Sequence, residues 1–150
     1  MIVLAITLLT SWLLCGIYLR IAQRWQILDL PNERSSHQLP TPHGAGVPLF
    51  IALGIGVVTA AVMGENWPPQ YYQLLTIAGC LMLVGVLDDL RGLSVALRFS
   101  IYGLSSVLAV TFIFSPWQDN VTFALLSAAL AVAVLIWMLN LYNFMDGIDG

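Results

Sequence analysis

Val121-Thr-Phe-Ala-Leu-Leu-Ser-Ala-Ala-Leu-Ala-Val-Ala-Val-Leu-Ile-Trp-Met-Leu-Asn-Leu141 carries no charged side chain, and only Thr122, Ser127 and Asn140 bring a hydroxyl or an amide. About 20 consecutive apolar residues let an α-helix cross the hydrocarbon core of a bilayer. In lipid a helix satisfies its own backbone polar groups, so a run of this length and composition reads as a spanning helix. Four similar runs precede it: Ile2–Leu19, Val47–Met63, Tyr71–Leu87 and Phe99–Phe114. The Phe99–Phe114 run is marginal by itself, and Leu93–Leu97 can extend it if Arg98 snorkels to water. The breaks Gly64-Glu-Asn-Trp-Pro-Pro69 and Ser115-Pro-Trp-Gln-Asp-Asn120 are short, polar and Pro-containing, which marks turns.

The whole composition agrees. The chain is 59% hydrophobic and 9% charged, with a mean hydropathy of +0.89. A soluble domain is nearer one-quarter charged. The expected fold is therefore all-α, a polytopic integral membrane protein of five transmembrane helices. No basic residue precedes the first run and no cleavage site follows it, so it reads as a retained span rather than a secretory signal. Cys15 and Cys80 lie inside apolar runs, where small buried hydrophobes are the expected reading. A net charge of −3 and five scattered Arg residues give no clustered basic surface, which excludes a nucleic-acid partner.

The five Arg residues are sorted. Arg20, Arg24 and Arg34 fall between the first and second runs, and Arg91 and Arg98 between the third and fourth. The other two connections hold only acids, Glu65 and Asp119. The positive-inside rule then places the N-terminus outside and the C-terminus in the cytoplasm. Trp67, Tyr71, Tyr72 and Trp117 fall at the outer interface, as an aromatic belt does.

Three chemically distinctive segments share the expected cytoplasmic face. The first is Asp29-Leu-Pro31-Asn-Glu-Arg34-Ser-Ser-His37-Gln-Leu-Pro40-Thr-Pro42-His43-Gly44-Ala-Gly46. Its small residues just before a helix leave backbone N–H groups open to an anion. The second is Asp88-Asp89. Ionised Asp in mid-membrane is costly, so the pair belongs at a helix end, where one carboxylate faces the bundle and the other meets Arg91 or water. Carboxylates at a helix C-terminus oppose the macrodipole, which a bound cation would offset. The third segment places Asn140, Asn143, Asp146 and Asp149 three residues apart, with Gly147 and Gly150 beside the acids. Such neighbours share one slowly drifting helix face, and their hard oxygens suit Mg²⁺.

These segments, in this order, resemble the polyprenyl-phosphate N-acetylhexosamine-1-phosphate transferases, and the first is most similar to the O-antigen-initiating branch. The resemblance rests on Asp29-x-Pro31-x-x-Arg34-x-x-His37-x-x-Pro40-Thr-Pro42-x-Gly44-x-Gly46, on Asp88-Asp89, and on Asn140-x-x-Asn143-x-x-Asp146-Gly-x-Asp149-Gly. It implies a multi-pass protein of the bacterial inner membrane that moves N-acetylhexosamine-1-phosphate from a UDP-N-acetylhexosamine to undecaprenyl phosphate. UMP leaves, and lipid-linked polysaccharide synthesis, lipopolysaccharide O-antigen included, is initiated. It also implies residue roles: Asp88 and Asp89 catalytic near the reacting phosphate, Asn143 on magnesium, and Asn140, Asp146, Asp149, Arg34 and His37 on nucleotide or phosphate. Where the family often carries Lys after the Asp pair, this chain has Ala96, with Arg91 and Arg98 the nearby cations.

The family runs to about twice this length, and its second half carries a Gly-Asp-x-Gly-Ser segment and a sugar-recognition loop. The resemblance therefore reads residues 1–150 as the N-terminal part of the transferase domain, with a second chain or a C-terminal half to complete it. The 150 residues alone are expected to be inactive. Two other readings stand beside it, an inactive membrane remnant and a divalent-cation-binding membrane protein. Transporters bind ions near the bilayer midplane, whereas these carboxylates fall at helix ends, which favours the enzyme.

Overall fold

The computed structural model describes residues 1–29, 40–42, 44–113 and 121–145, with the backbone alone at Asp29, Phe144 and Met145. Five helices carry nearly all of it: α1 (Ile2–Arg24), α2 (Gly46–Val62), α3 (Pro69–Arg91), α4 (Val95–Ile113) and α5 (Val121–Met145). The protein is an all-α, multi-pass membrane protein. α1, α3, α4 and α5 are long and apolar enough to cross a bilayer, and α2 is a shorter apolar helix. None of the most apolar windows of α1, α3 or α5 is buried within the protein. Trp12, Leu83, Leu125 and Trp137 stand exposed, as side chains that meet lipid rather than water do.

The fourth helix gains the extension that Leu93–Leu97 allows, and the shortest apolar helix is α2. Ser94 caps α4, its Oγ accepting from Leu97 N–H at 3.3 Å, and the helix gains a turn ahead of Phe99. α2 instead stops at Val62, where Gly64 turns the chain at φ +87°. Its 17 residues rise about 25 Å, against about 30 Å of hydrocarbon core.

By chain contacts the protein divides into two units, Met1–Pro68 and Pro69–Gly150. In the first, α2 packs on α1 through the small residues Pro48, Ala52, Gly56 and Ala60, which recur every four residues and are all buried. Without larger side chains between them, two helices approach closely and gain dispersion contact where lipid offers no hydrophobic drive. The approach is tightest at Gly56, where a Cβ would overlap Thr7 Oγ1. Thr7 is itself held, its hydroxyl donating to Val3 O at 2.8 Å.

α1 closes with Gln26 at φ 58° and Ile27 N–H donating to Ala22 O at 2.8 Å, a Schellman-type turn. A short antiparallel pairing follows, β1 (Leu28–Asp29) with β2 (Thr41–Pro42), in register Leu28↔Pro42 and Asp29↔Thr41. It is absent from the sequence reading, and it pins together the two ends of the first motif. In the second unit α4 is the middle helix, packed by α3 and by α5. Its buried stripe is Tyr102, Ser106 and Val110, four residues apart.

The Arg distribution predicts the sidedness. Reporter fusions after Gln118 and after Gly150 are expected to report opposite sides of the membrane, Gln118 outside and Gly150 inside. An inside signal at Gln118 overturns the assignment.

Candidate functional site

The acidic pair sits in the last turn of α3, as its cost in mid-membrane requires. The corner that follows is built around Asp88. Gly92 takes φ +62°, a left-handed conformation that costs glycine little, and its N–H donates to Asp88 O at 2.7 Å. The next N–H, of Leu93, donates to Asp88 Oδ1 at 2.8 Å. Three residues separate α3 from α4, and Arg98 on the first turn of α4 comes back over the corner. Its Nη1 donates to Asp88 Oδ2 at 2.7 Å.

Both carboxylate oxygens of Asp88 are thus engaged, and its partner is Arg98 rather than Arg91. Arg98 does not simply snorkel away; it pairs across the corner. The macrodipole cost at this helix end is met at Asp88 by the chain's own guanidinium and by the Leu93 amide. That dipole by itself therefore does not call for a bound metal at Asp88. Asp89 is exposed.

In the third motif, α5 continues through Asn140 and Asn143. Asn140 Nδ2 donates to Ile136 O at 2.8 Å, one turn back, which commits the donor end of the amide to the helix. Asn143 is exposed near the end of the helix. Amide and carboxylate oxygens are hard donors of the kind Mg²⁺ takes. Among the described residues, no group of three His, Cys, Asp or Glu could hold a metal ion. Arg34, His37, Asp146 and Asp149 lie outside the described residues.

At the other end of the first motif, Gly44 turns at φ +87° immediately before α2. Ala45 occupies the cap position with no side-chain hydrogen bond. Among the described residues no side-chain hydrogen bond caps α2, but Val47 N–H donates to Gly44 O at 3.3 Å, Leu49 N–H donates to Ala45 O at 3.4 Å, and Pro48 carries no N–H, so the start of α2 offers fewer open N–H groups than the motif led us to expect.

The family model for glycosyl transferase family 4 matches residues 71–150, which include both acidic motifs. The match covers more than half of the chain, and the chain belongs to that family. The undecaprenyl-phosphate alpha-N-acetylglucosaminyl 1-phosphate transferase of Yersinia pestis is 30% identical over 142 residues, covering 87% of this chain and 37% of the relative. The decaprenyl-phosphate N-acetylglucosaminephosphotransferase of Mycolicibacterium smegmatis is 26% identical over 148 residues, covering 87% and 36%. A probable undecaprenyl-phosphate N-acetylglucosaminyl 1-phosphate transferase of Bacillus subtilis is 26% identical over 152 residues, covering 97% and 42%. The chain thus spans well under half the length of these relatives. No solved structure matches it significantly.

Proposed function

We propose that this chain forms the N-terminal part of a transferase in the bacterial inner membrane that moves N-acetylhexosamine-1-phosphate from a UDP-sugar to undecaprenyl phosphate. The observation that carries the reading is the family match over residues 71–150, which contain Asp88-Asp89 and the Asn/Asp ladder. The names of the relatives point to the same lipid phosphate and the same sugar phosphate.

In the proposed reaction an oxygen of the lipid phosphate attacks the β-phosphorus of the UDP-sugar. The bond from that phosphorus to the bridging oxygen breaks, and UMP leaves with the oxygen. Such transfer depends on positioning and charge neutralisation more than on covalent help from the protein. The acidic pair orients and activates the lipid phosphate. Ala96 stands where the family often has Lys, which leaves Arg98 and Arg91 as the nearby cations, and a guanidinium forks onto phosphate oxygens. Asn140, Asp146 and Asp149 hold the nucleotide, while Arg34 and His37 contribute to phosphate binding from the first motif. Asn143 would hold Mg²⁺, which when bound neutralises the charge of the diphosphate. The product initiates a lipid-linked surface polysaccharide such as O-antigen.

The test is a chimera joining residues 1–150 to the remaining length of the Bacillus subtilis relative. With undecaprenyl phosphate, UDP-N-acetylglucosamine and magnesium, it is expected to release UMP. The 150-residue chain alone is expected to release none. Folded, membrane-inserted chimera without UMP release removes the reading.

A further inference from the structure

α1 carries a groove that the proposed reaction does not use. It encloses about 530 Å³ and is lined mostly by apolar atoms, with Leu8, Trp12, Leu13, Gly16 and Leu19 along it and Arg20 at one end. That volume falls within the range of about 300–1,000 Å³ found for sites that take small ligands. Gly16 follows Thr7 by nine residues, so at about 100° per residue the two lie on opposite sides of the helix. Thr7 meets Gly56 of α2. The groove is therefore on the side of α1 turned away from α2. Its floor is Gly16, where an added Cβ would meet nothing within 4 Å. One wall is Trp12, which is 77% exposed. Trp is enriched at the membrane interfaces, whereas Trp12 stands near the middle of α1.

Shape and charge select the occupant. A packed helix is about 10 Å across and seats on a stripe of small residues. Pro48, Ala52, Gly56 and Ala60 of α2 form such a stripe. Gly16 does not belong to one, because the residues one turn to either side of it are Trp12, Leu13, Leu19 and Arg20. A notch one residue wide between large side chains suits a single hydrocarbon chain. Arg20 lies about 6 Å before the end of α1, the end that the Arg distribution places in the cytoplasm. Its side chain is exposed, and among the described residues no acid pairs with it. A guanidinium at that depth snorkels to the headgroup level, and the cytoplasmic leaflet is the one that carries anionic lipid. Trp12 lies about 12 Å further along the helix axis, toward the bilayer centre.

We propose that this groove is a binding site for an anionic phospholipid of the cytoplasmic leaflet. The lipid phosphate meets the Arg20 guanidinium, which forks onto phosphate oxygens. One acyl chain runs over Gly16 and along the Trp12 ring. The site stands apart from both acidic motifs in the chain, and it does not depend on the transferase reading.

The test places the full 150-residue chain in phosphatidylcholine vesicles that contain a minor fraction of phosphatidylglycerol. Bromine atoms at mid-chain are carried by one lipid or by the other, and they quench indole fluorescence on contact. Subtracting the signal of Trp12→Phe isolates Trp12 from the other Trp residues. Brominated phosphatidylglycerol is expected to quench Trp12 about fivefold more strongly per mole than brominated phosphatidylcholine, the order that one Arg near an anionic surface supplies. Arg20→Gln is expected to abolish the preference, and Arg20→Lys, which keeps the charge, to retain it. Gly16→Leu keeps every charge but fills the notch, and it is expected to abolish the preference as well. Equal quenching by the two lipids in the unaltered chain overturns the proposal. So does a preference that survives Gly16→Leu, since surface charge alone then explains it. A dimer of the chain that Gly16→Leu dissociates makes the groove a protein seam, with the same consequence. Relief of quenching by undecaprenyl phosphate at a lower mole fraction than unbrominated phosphatidylglycerol assigns the groove to the acceptor lipid and overturns the proposal too. Should Gly16→Leu not insert, the Arg20 variants decide, and an unchanged preference in Arg20→Gln is equally fatal.

Discussion

Asp89→Asn and Asn143→Ala are each expected to lower kcat in the chimera at least about a hundredfold, or about 2.7 kcal/mol of transition-state stabilisation. Phosphoryl transfer gives the protein little covalent work. A missing carboxylate or metal-holding amide is felt directly in the charge distribution of the transition state. Asp89 is exposed at the end of α3. Asn143 is exposed one turn beyond Asn140, near the end of α5. Glu65, in the connection between α2 and α3, serves as the control, and Glu65→Gln is expected to change turnover by less than about twofold, as surface substitutions away from a site do. UMP release measured at saturating substrates decides the matter. Near-normal kcat in Asp89→Asn removes its catalytic role.

Gly56→Leu is expected to be the most disruptive single change in the first unit. At this position a Cβ would overlap Thr7 Oγ1 and lie 3.3 Å from both Thr7 Cβ and Thr7 Cγ2. Thr7 cannot simply swing aside, because its hydroxyl bonds to the backbone of its own helix. The helices must separate, and the contacts along Ala52 and Ala60 go with them. Overpacking of this kind costs about 1–3 kcal/mol, so the thermal midpoint in detergent should fall by about 2–12 °C. Gly54→Leu, on the same helix where a Cβ meets nothing within 4 Å, should leave the midpoint nearly unchanged. Equal midpoints for the two variants would refute the close approach.

The helices and the placement of the acidic pair at a helix end were legible because both follow from one-dimensional quantities. Apolar run length sets a span, and the cost of a carboxylate in hydrocarbon pushes Asp88-Asp89 to the edge of one. The partner of Asp88 was not legible in that way. Arg91 and Arg98 are both within plausible reach in the sequence. The choice between them depends on a left-handed turn at Gly92 and a cap at Ser94, which together bring residue 98 back over the corner. The signal was present in those two residues, since Gly after a helix and Ser before the next mark a tight connection. The β1–β2 pairing escaped because two residues on each side are too few for a period. The exchange of the marginal span from α4 to α2 has the same origin as the Arg98 pairing, because Ser94 lengthens α4 while Gly64 stops α2.

The brevity of α2 also bears on the bilayer itself. α1 has 23 residues and α2 has 17, and they pack together. At 1.5 Å per residue they differ in length by about 9 Å. A membrane of one thickness cannot match both. α1 can tilt to shorten its projection, whereas α2 falls about 5 Å short of the hydrocarbon core, a deficit met by thinning of the lipid, snorkelling of flanking residues or association, at a cost of fractions of a kcal/mol per Å. Hydrophobic mismatch thus follows from the sequence of this pair of helices, and a bilayer that thins beside α2 would bring its headgroup plane closer to the midplane there.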